Sequence, residues 1–261
     1  DRPGKELRIT HKIFDSFRRL VNVGLATLHV FTAWEPEVLC TVSKVEGSPD
    51  IKDTRPIGLV AILRNSVEGI MYEAITDVWD KAGILSRLNK GFRRHVGTDS
   101  NRLISTATAE ACYLWRKNAF VSNRDVTHAF DNMDRFAGIE MGLLRLGVPS
   151  WWVRYNSHFD KRGKMCVRTA YGLAEGVFRW AGAVQGGKGS PQKWTAMEDV
   201  ANTMWERRTD GGVQVPVSEG RHLSVVGAGF ADDKRFIQAM LGDHNDLTMQ
   251  DGDFLFLLGF E

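Results

Sequence analysis

The chain of 261 residues has three cysteines, Cys40, Cys112 and Cys166, an odd number at wide spacing. That excludes a disulfide framework and the usual paired-ligand zinc pattern, and it fits an intracellular compartment. No run of about 18 apolar residues occurs, so membrane insertion is not expected. The N-terminus is polar rather than signal-like. Neither sign of charge dominates: 34 Lys and Arg against 32 Asp and Glu leave a net +2, so overall charge identifies no partner. There is no internal repeat and no low-complexity tract. The chain opens at Asp1 without Met and stops at Phe260-Glu261 inside an apolar run, as expected of a segment taken from a longer reading frame.

What is present is an apolar fraction of 43%, enough for one or two packed cores without staples. The stretch from Ile57 to about Leu88 reads mostly as helix, with Leu63, Val67, Ile70, Ala74 and Val78 at steps of three and four. Phe120 to Arg124 reads as a short strand. A helix is expected from about Asn132 to Leu146, where Phe136, Ile139, Leu143 and Leu146 share a face and Gly147 with Pro149 supplies the stop. Trp151, Tyr155 and Phe159 continue helical spacing. Lys164 to Ala170 and Val177 to Trp180 read as strands about a Gly172 turn, and a helix opens at Pro191 with Trp194, Met197, Ala201 and Met204 on one side. Leu223 to Ala239 reads as a hairpin with Asp232-Asp233 at or beside its turn. Strands and helices without strict alternation define an α+β class.

The chemistry lies in three separated motifs. Phosphoryl transfer from a nucleoside triphosphate needs Mg²⁺ held by one or two carboxylates together with substrate oxygens. Two such ions stabilise attacking and leaving oxygens together, so carboxylates from distant parts of a chain must converge. Asp125 at a strand end and Asp232-Asp233 on a hairpin are suitable mounts. Each alone has an ordinary explanation, as a helix cap or a turn residue. Basic residues cluster at Arg87, Lys90, Arg93 and Arg94, and again at Arg154, Lys161, Arg162, Lys164 and Arg168; either group could follow a phosphate backbone.

Asp125-Val126-Thr127-His128-Ala129-Phe130-Asp131, Gln185-Gly186-Gly187-Lys188-Gly189-Ser190-Pro191 and Phe230-Ala231-Asp232-Asp233 occur in the order and approximate spacing of the palm motifs of reverse transcriptases. Upstream, Val42-Ser43-Lys44 with Thr54-Arg55-Pro56-Ile57, and then Lys90-Gly91-Phe92-Arg93, resemble the fingers blocks of that family. The long interval between Asp125 and Gln185 resembles the non-LTR retrotransposon or group II intron branch. The resemblance implies a right-hand polymerase fold with fingers and palm, an antiparallel palm sheet packed on helices, and no thumb. Residues 1–120 would be an N-terminal extension and fingers, and 121–261 a palm with a fingers-like insertion near 150–180.

The implied activity is RNA-directed DNA synthesis from dNTPs on a DNA primer and RNA template. The family places two Mg²⁺ or Mn²⁺ ions on Asp125 and Asp232, with the Val126 carbonyl, and Asp233 as a nearby third carboxylate. By the same resemblance Arg55 and Lys44 grip the triphosphate, where a guanidinium can pair bidentately with phosphate. Phe130 would lie under the sugar and Gln185 and Gly186 would line the nucleotide pocket; the clustered charges of Arg87, Lys90, Arg93 and Arg94 would contact nucleic acid. Phe230 stands where the family usually has Tyr, and Ser122-Asn123-Arg124 is more polar than the usual buried strand. Those departures, with the missing thumb, leave open a decayed or domesticated fragment that binds nucleic acid without catalysis. An RNA-dependent RNA polymerase shares the carboxylates but not Phe130 and the Gln185 motif. A P-loop is set aside because Gly189 occupies its Ser/Thr position.

Overall fold

The computed structural model describes residues 3–238 apart from 49, 51–52, 116–118, 170, 209–211, 219–220 and 232. An amphipathic helix, α1 (Pro3–Thr27), lays Phe17, Val21 and Leu25 on the main core at the four-residue spacing that keeps side chains on one helical face. Strands β1 (Glu37–Ser43) and β2 (Thr54–Val60) form an antiparallel hairpin, and α2 (Ile62–Ala82) follows directly. The helix expected from Ile57 therefore starts later, because Thr54–Val60 is drawn into the ladder with β1. Gly83 ends α2 in the left-handed conformation (φ 61°) that a glycine C-cap accepts without strain.

The orientation of α2 also differs from the apolar stripe. Its buried residues are Arg64, Val67, Glu68, Tyr72, Thr76 and Trp79, whereas Leu63, Ile70 and Val78 are exposed. Arg64 binds Glu68 and faces Glu37 of β1, and a buried guanidinium needs both partners. Ion pairing, not apolar periodicity, sets the rotation of this helix.

Helix α3 (Thr98–Leu114) precedes β3 (Phe120–Asp125), the strand expected at that position. The helix expected over 132–146 is broken into α4 (Ala129–Asn132), a π-helical turn Arg135–Glu140 and α5 (Met141–Arg145). Ile139, Leu143 and Leu146 are buried as expected, but Phe136 is exposed, since the wider π turn rotates it off that face. Helix α6 (Ser150–Arg162) buries Trp152, Tyr155 and Phe159 and leaves Trp151 partly exposed. Short strands β4 (Lys164–Thr169), β5 (Gly172–Leu173) and β6 (Val177–Phe178) come next. They lead to α7 (Ser190–Arg208), which buries Trp194, Met197 and Ala201.

Two sheets organise these elements. In the first, of order β2-β1-β4-β5 with β6 on β4, strand β4 runs parallel to β1, so residues 164–169 join the sheet of residues 37–60. The second is a three-stranded antiparallel sheet of order β3-β10-β9, built from β9 (Gly227–Phe230) and β10 (Asp233–Gln238). The hairpin expected over 223–239 is thus only its second half. Leu223 belongs instead to β8 (Arg221–Val225), which pairs with β7 (Val213–Ser218). No helix among the described residues is long and apolar enough to cross a membrane.

Candidate active site

The end of the three-stranded sheet brings two of the motif acids together. Asp125, the last residue of β3, is the register partner of Asp233, the first of β10, and Asp233 in turn faces Phe230. Residues directly opposite in an antiparallel ladder have Cα atoms roughly 4.5–5.5 Å apart. Alternation along the strands puts Asn123, Asp125, Asp233, Arg235 and Ala228 on one face. On the other face Phe236 packs against Trp205, with ring centres 4.2 Å apart and planes tilted by 46°, and Lys234 is buried near Glu198. Asp125 and Asp233 are exposed and make no ion pair among the described residues. Asp232 lies outside the described residues.

Mg²⁺ and Mn²⁺ take oxygen ligands, and carboxylates without cationic partners are the donors such ions require. Asp125 and Asp233 meet that requirement, and Val126 follows directly, packed against the main core. Among the described residues no three His, Cys, Asp or Glu side chains group as a metal site.

The acidic turn is braced from two directions. Lys90 donates its backbone N–H to the Gly229 carbonyl at 2.8 Å and Gly229 donates to Leu88 at 2.7 Å, so residues 88–90 run beside β9. A Cβ at Gly91 would stand 2.5 Å from the Ala231 nitrogen; only glycine permits this approach. From below, the Trp194 indole of α7 donates to the Ala231 carbonyl at 3.0 Å. Ala231 has φ 55°, a strained value for a residue with a Cβ, and these contacts hold it there. Trp194, which the sequence places on the apolar side of the helix opening at Pro191, thus ties that helix to Ala231.

The first sheet meets the Gln185 loop directly. The Gly58 N–H of β2 donates to the Gln185 carbonyl at 2.6 Å, and a Cβ at Gly186 would lie 2.8 Å from the Gly58 oxygen. Arg55 sits three residues earlier on the same strand, exposed, opposite Val42. Lys44, also exposed, is tied by its N–H to the Asp53 carbonyl at the hairpin end. Phe130 is half-buried between Phe92 at 6.3 Å and Trp194 at 5.9 Å between ring centres. Its carbonyl accepts from Ala183 at 2.8 Å. One aromatic column therefore links the Asp125 motif, the Gly91 block and α7.

The four cations assigned to nucleic acid are differently placed. Arg87 pairs with Glu206 at 3.4 Å, Arg93 with Asp80 at 2.8 Å, and Arg94 with both Glu73 and Asp77. Lys90 is partly buried, and burial followed by the neighbouring Arg93 charge lowers its pKa.

Sequence reasoning missed a buried ionic joint that ties β1 of the first sheet to α2, α6 and α7. Arg64 is 2% exposed, bonds Glu68 at 2.9 Å, approaches Glu37 at 3.6 Å and lies 4.3 Å over the Phe159 ring. Lys193 of α7 bonds Asp160 of α6 at 2.7 Å, and both are buried. Arg135 spans the joint, donating to the carbonyls of Asp160, Arg179, Ala181 and Gly182. Burial acts upward on the Asp160 carboxyl, but Lys193, Arg64 and Arg135 outweigh it and hold the group below its usual range. Burial pushes Glu37 up and Tyr155 to about 12. Each residue reads as a surface charge in sequence, and only the fold shows them sharing an interior.

No family model and no curated protein matches the chain in sequence. Solved structures do match in fold. Telomerase from Candida tropicalis truncated from its C-terminal domain superposes with TM-score 0.57 at 9% identity, over 88% of this chain and 49% of that one. Telomerase from Candida albicans in complex with a TWJ fragment of telomeric RNA gives 0.56 at 10% identity, over 87% and 41%. The Candida tropicalis enzyme with such an RNA fragment gives 0.56 at 9%, over 90% and 41%. The chain spans half or less of those proteins. It shares with those telomerases a mixed helix and sheet fold, at very low identity.

Proposed function

We propose that the chain is the fingers and palm of an RNA-directed DNA polymerase, of the non-LTR retrotransposon or group II intron kind, that extends a DNA primer from dNTPs. The sheet of β1, β2 and β4 to β6 is the fingers, and the sheet β3-β10-β9 with α7 beneath it is the palm. The observation that carries this reading is the register pairing of Asp125 with Asp233 beside the acidic turn. The RNA in the telomerase complexes supports a nucleic-acid partner.

Asp125, Asp232 and the Val126 carbonyl hold the metal site, with Asp233 adjoining. Two Mg²⁺ or Mn²⁺ ions bound there supply charge neutralisation for the attacking and leaving oxygens of an in-line displacement. Arg55 and Lys44, on the fingers hairpin that touches the Gln185 loop, bind the triphosphate and orient its α-phosphate. Phe130, fixed by Phe92 and Trp194, presents a ring edge under the sugar and excludes a 2′-hydroxyl. Gln185 and the Gly186 backbone line the base and sugar pocket. Catalysis is mainly positioning and electrostatic stabilisation, with the primer 3′-hydroxyl as nucleophile and pyrophosphate as leaving group.

Primer extension on an RNA template with dNTPs and Mg²⁺ tests the reading. Asp125→Asn should lower the rate by more than about 100-fold, since even outer partners of a metal site are worth roughly 10–100-fold. Equal extension by the variant, or a preference for NTPs over dNTPs, contradicts it.

A further inference from the structure

A cavity of about 570 Å³ opens on the sheet face that carries Asp125 and Asp233. Its opposite wall is the polar side of α3, with Asn101, Arg102, Ser105 and Thr106. None of the sequence motifs includes α3. Arg235 crosses the floor, donating to Asn123 at 2.8 Å and to the Ser105 hydroxyl at 2.8 Å, so its guanidinium is committed to tying helix to sheet. Arg102 is exposed on the rim, with no partner among the described residues. One residue away, the Asn101 Oδ1 is buried with no hydrogen-bond donor, an orphaned acceptor in the cavity wall.

We propose that α3 seats the sugar–phosphate backbone of the strand being extended, with Arg102 binding a phosphate near its 3′ end and Asn101 accepting from a sugar or base donor. This rests on the polymerase reading above and adds a contact to it. A strand whose terminal hydroxyl lies at Asp125 must lead its preceding phosphates away from the carboxylates, which repel them. Four cations line the cavity: Lys234 is buried, Arg124 and Arg235 are half-buried, and Arg102, on the α3 wall, is the exposed one. The triphosphate is served separately by Arg55 of β2 and Lys44 just beyond the end of β1.

The test is equilibrium binding of a fluorescent primer–template with a recessed 3′ end to the intact chain between 50 and 200 mM salt, without metal or dNTP. Arg102→Ala should weaken binding and make the slope of log affinity against log salt shallower by about 0.9, the signature of one lost phosphate contact. Arg102→Glu should weaken binding further. A neutral methylphosphonate at a terminal phosphate of the primer should reproduce the Arg102→Ala loss in the wild type and add nothing in the variant. An unchanged slope, additive losses, or a wild-type chain that binds no primer–template overturns the proposal. Because no metal or nucleotide is present, the outcome stands whatever primer extension gives: extension that depends on Asp125 with an unchanged Arg102→Ala slope defeats this contact and leaves the polymerase reading intact.

Discussion

Two groups of acidic residues lie in this molecule in opposite conditions. At the end of β3 and β10, Asp125 and Asp233 face each other exposed and without an ion pair among the described residues. At the joint of β1 with α2, α6 and α7, Glu37, Glu68 and Asp160 are buried and matched by Arg64, Arg179 and Lys193. Like charges that converge in the open cost stability and persist where an external cation is to be held. Charges matched in the interior define an architecture: breaking such a pair leaves an uncompensated buried ion. On the function proposed above, the first group is kept for a ligand and the second for the fold.

The largest effect should follow from breaking the joint. Lys193→Met leaves Asp160 buried without its ammonium and should cost about 3–5 kcal/mol. Thermal denaturation should register it as a fall on the order of 10 °C. Removing Asp160 as well, as Asn, should restore much of the loss. A Lys193→Met protein as stable as the parent would place this pair with the exposed acids.

A second test concerns Glu198, under the acidic hairpin at 2% exposure. Burial, only partly offset by Lys234, raises its pKa from 4.5 to about 7. The folded state then keeps a proton that the unfolded chain releases above its lower pKa. Stability contributed by this group is full below about pH 4.5 and is lost as pH rises towards 7. Denaturant midpoints at pH 5 and pH 7.5 should differ less for Glu198→Gln than for the wild type. An equal pH dependence in the two proteins would show that burial does not raise the Glu198 pKa.

The smallest effect is local. Trp194→Phe keeps a ring beside Phe130 but removes the donor to Ala231, at a cost of about 0.5–1.5 kcal/mol. If that bond holds the acidic turn in place, extension should fall more than stability does. Loss of stability with unchanged extension would reduce Trp194 to core packing.

The sequence made the acids and their mounts legible, because Asp125 closes a short strand and Asp-Asp sits between two apolar runs. It also made α7 legible through Trp194, Met197 and Ala201. It misled at α2, where Leu63, Ile70 and Val78 have helical spacing yet face outward, because Arg64 and Glu68 need buried partners. Periodicity counts apolar side chains and cannot see a charge whose partner is over a hundred residues away, as Arg179 is from Glu37. The β7–β8 hairpin was hidden for a similar reason: Leu223 fits either the strand before the acidic turn or a ladder with Val215, and only pairing decides.

The central claim is that the Asp125 strand end and the acidic turn serve one metal site. Fe²⁺ exchanged for Mg²⁺ in the presence of primer–template, with ascorbate and peroxide, cuts a polypeptide where the ion sits. Mass spectrometry should find cuts at 125–126 and at 231–233 together, both lost in Asp125→Asn. Cutting at one segment alone, or at both in the variant, would contradict a shared site.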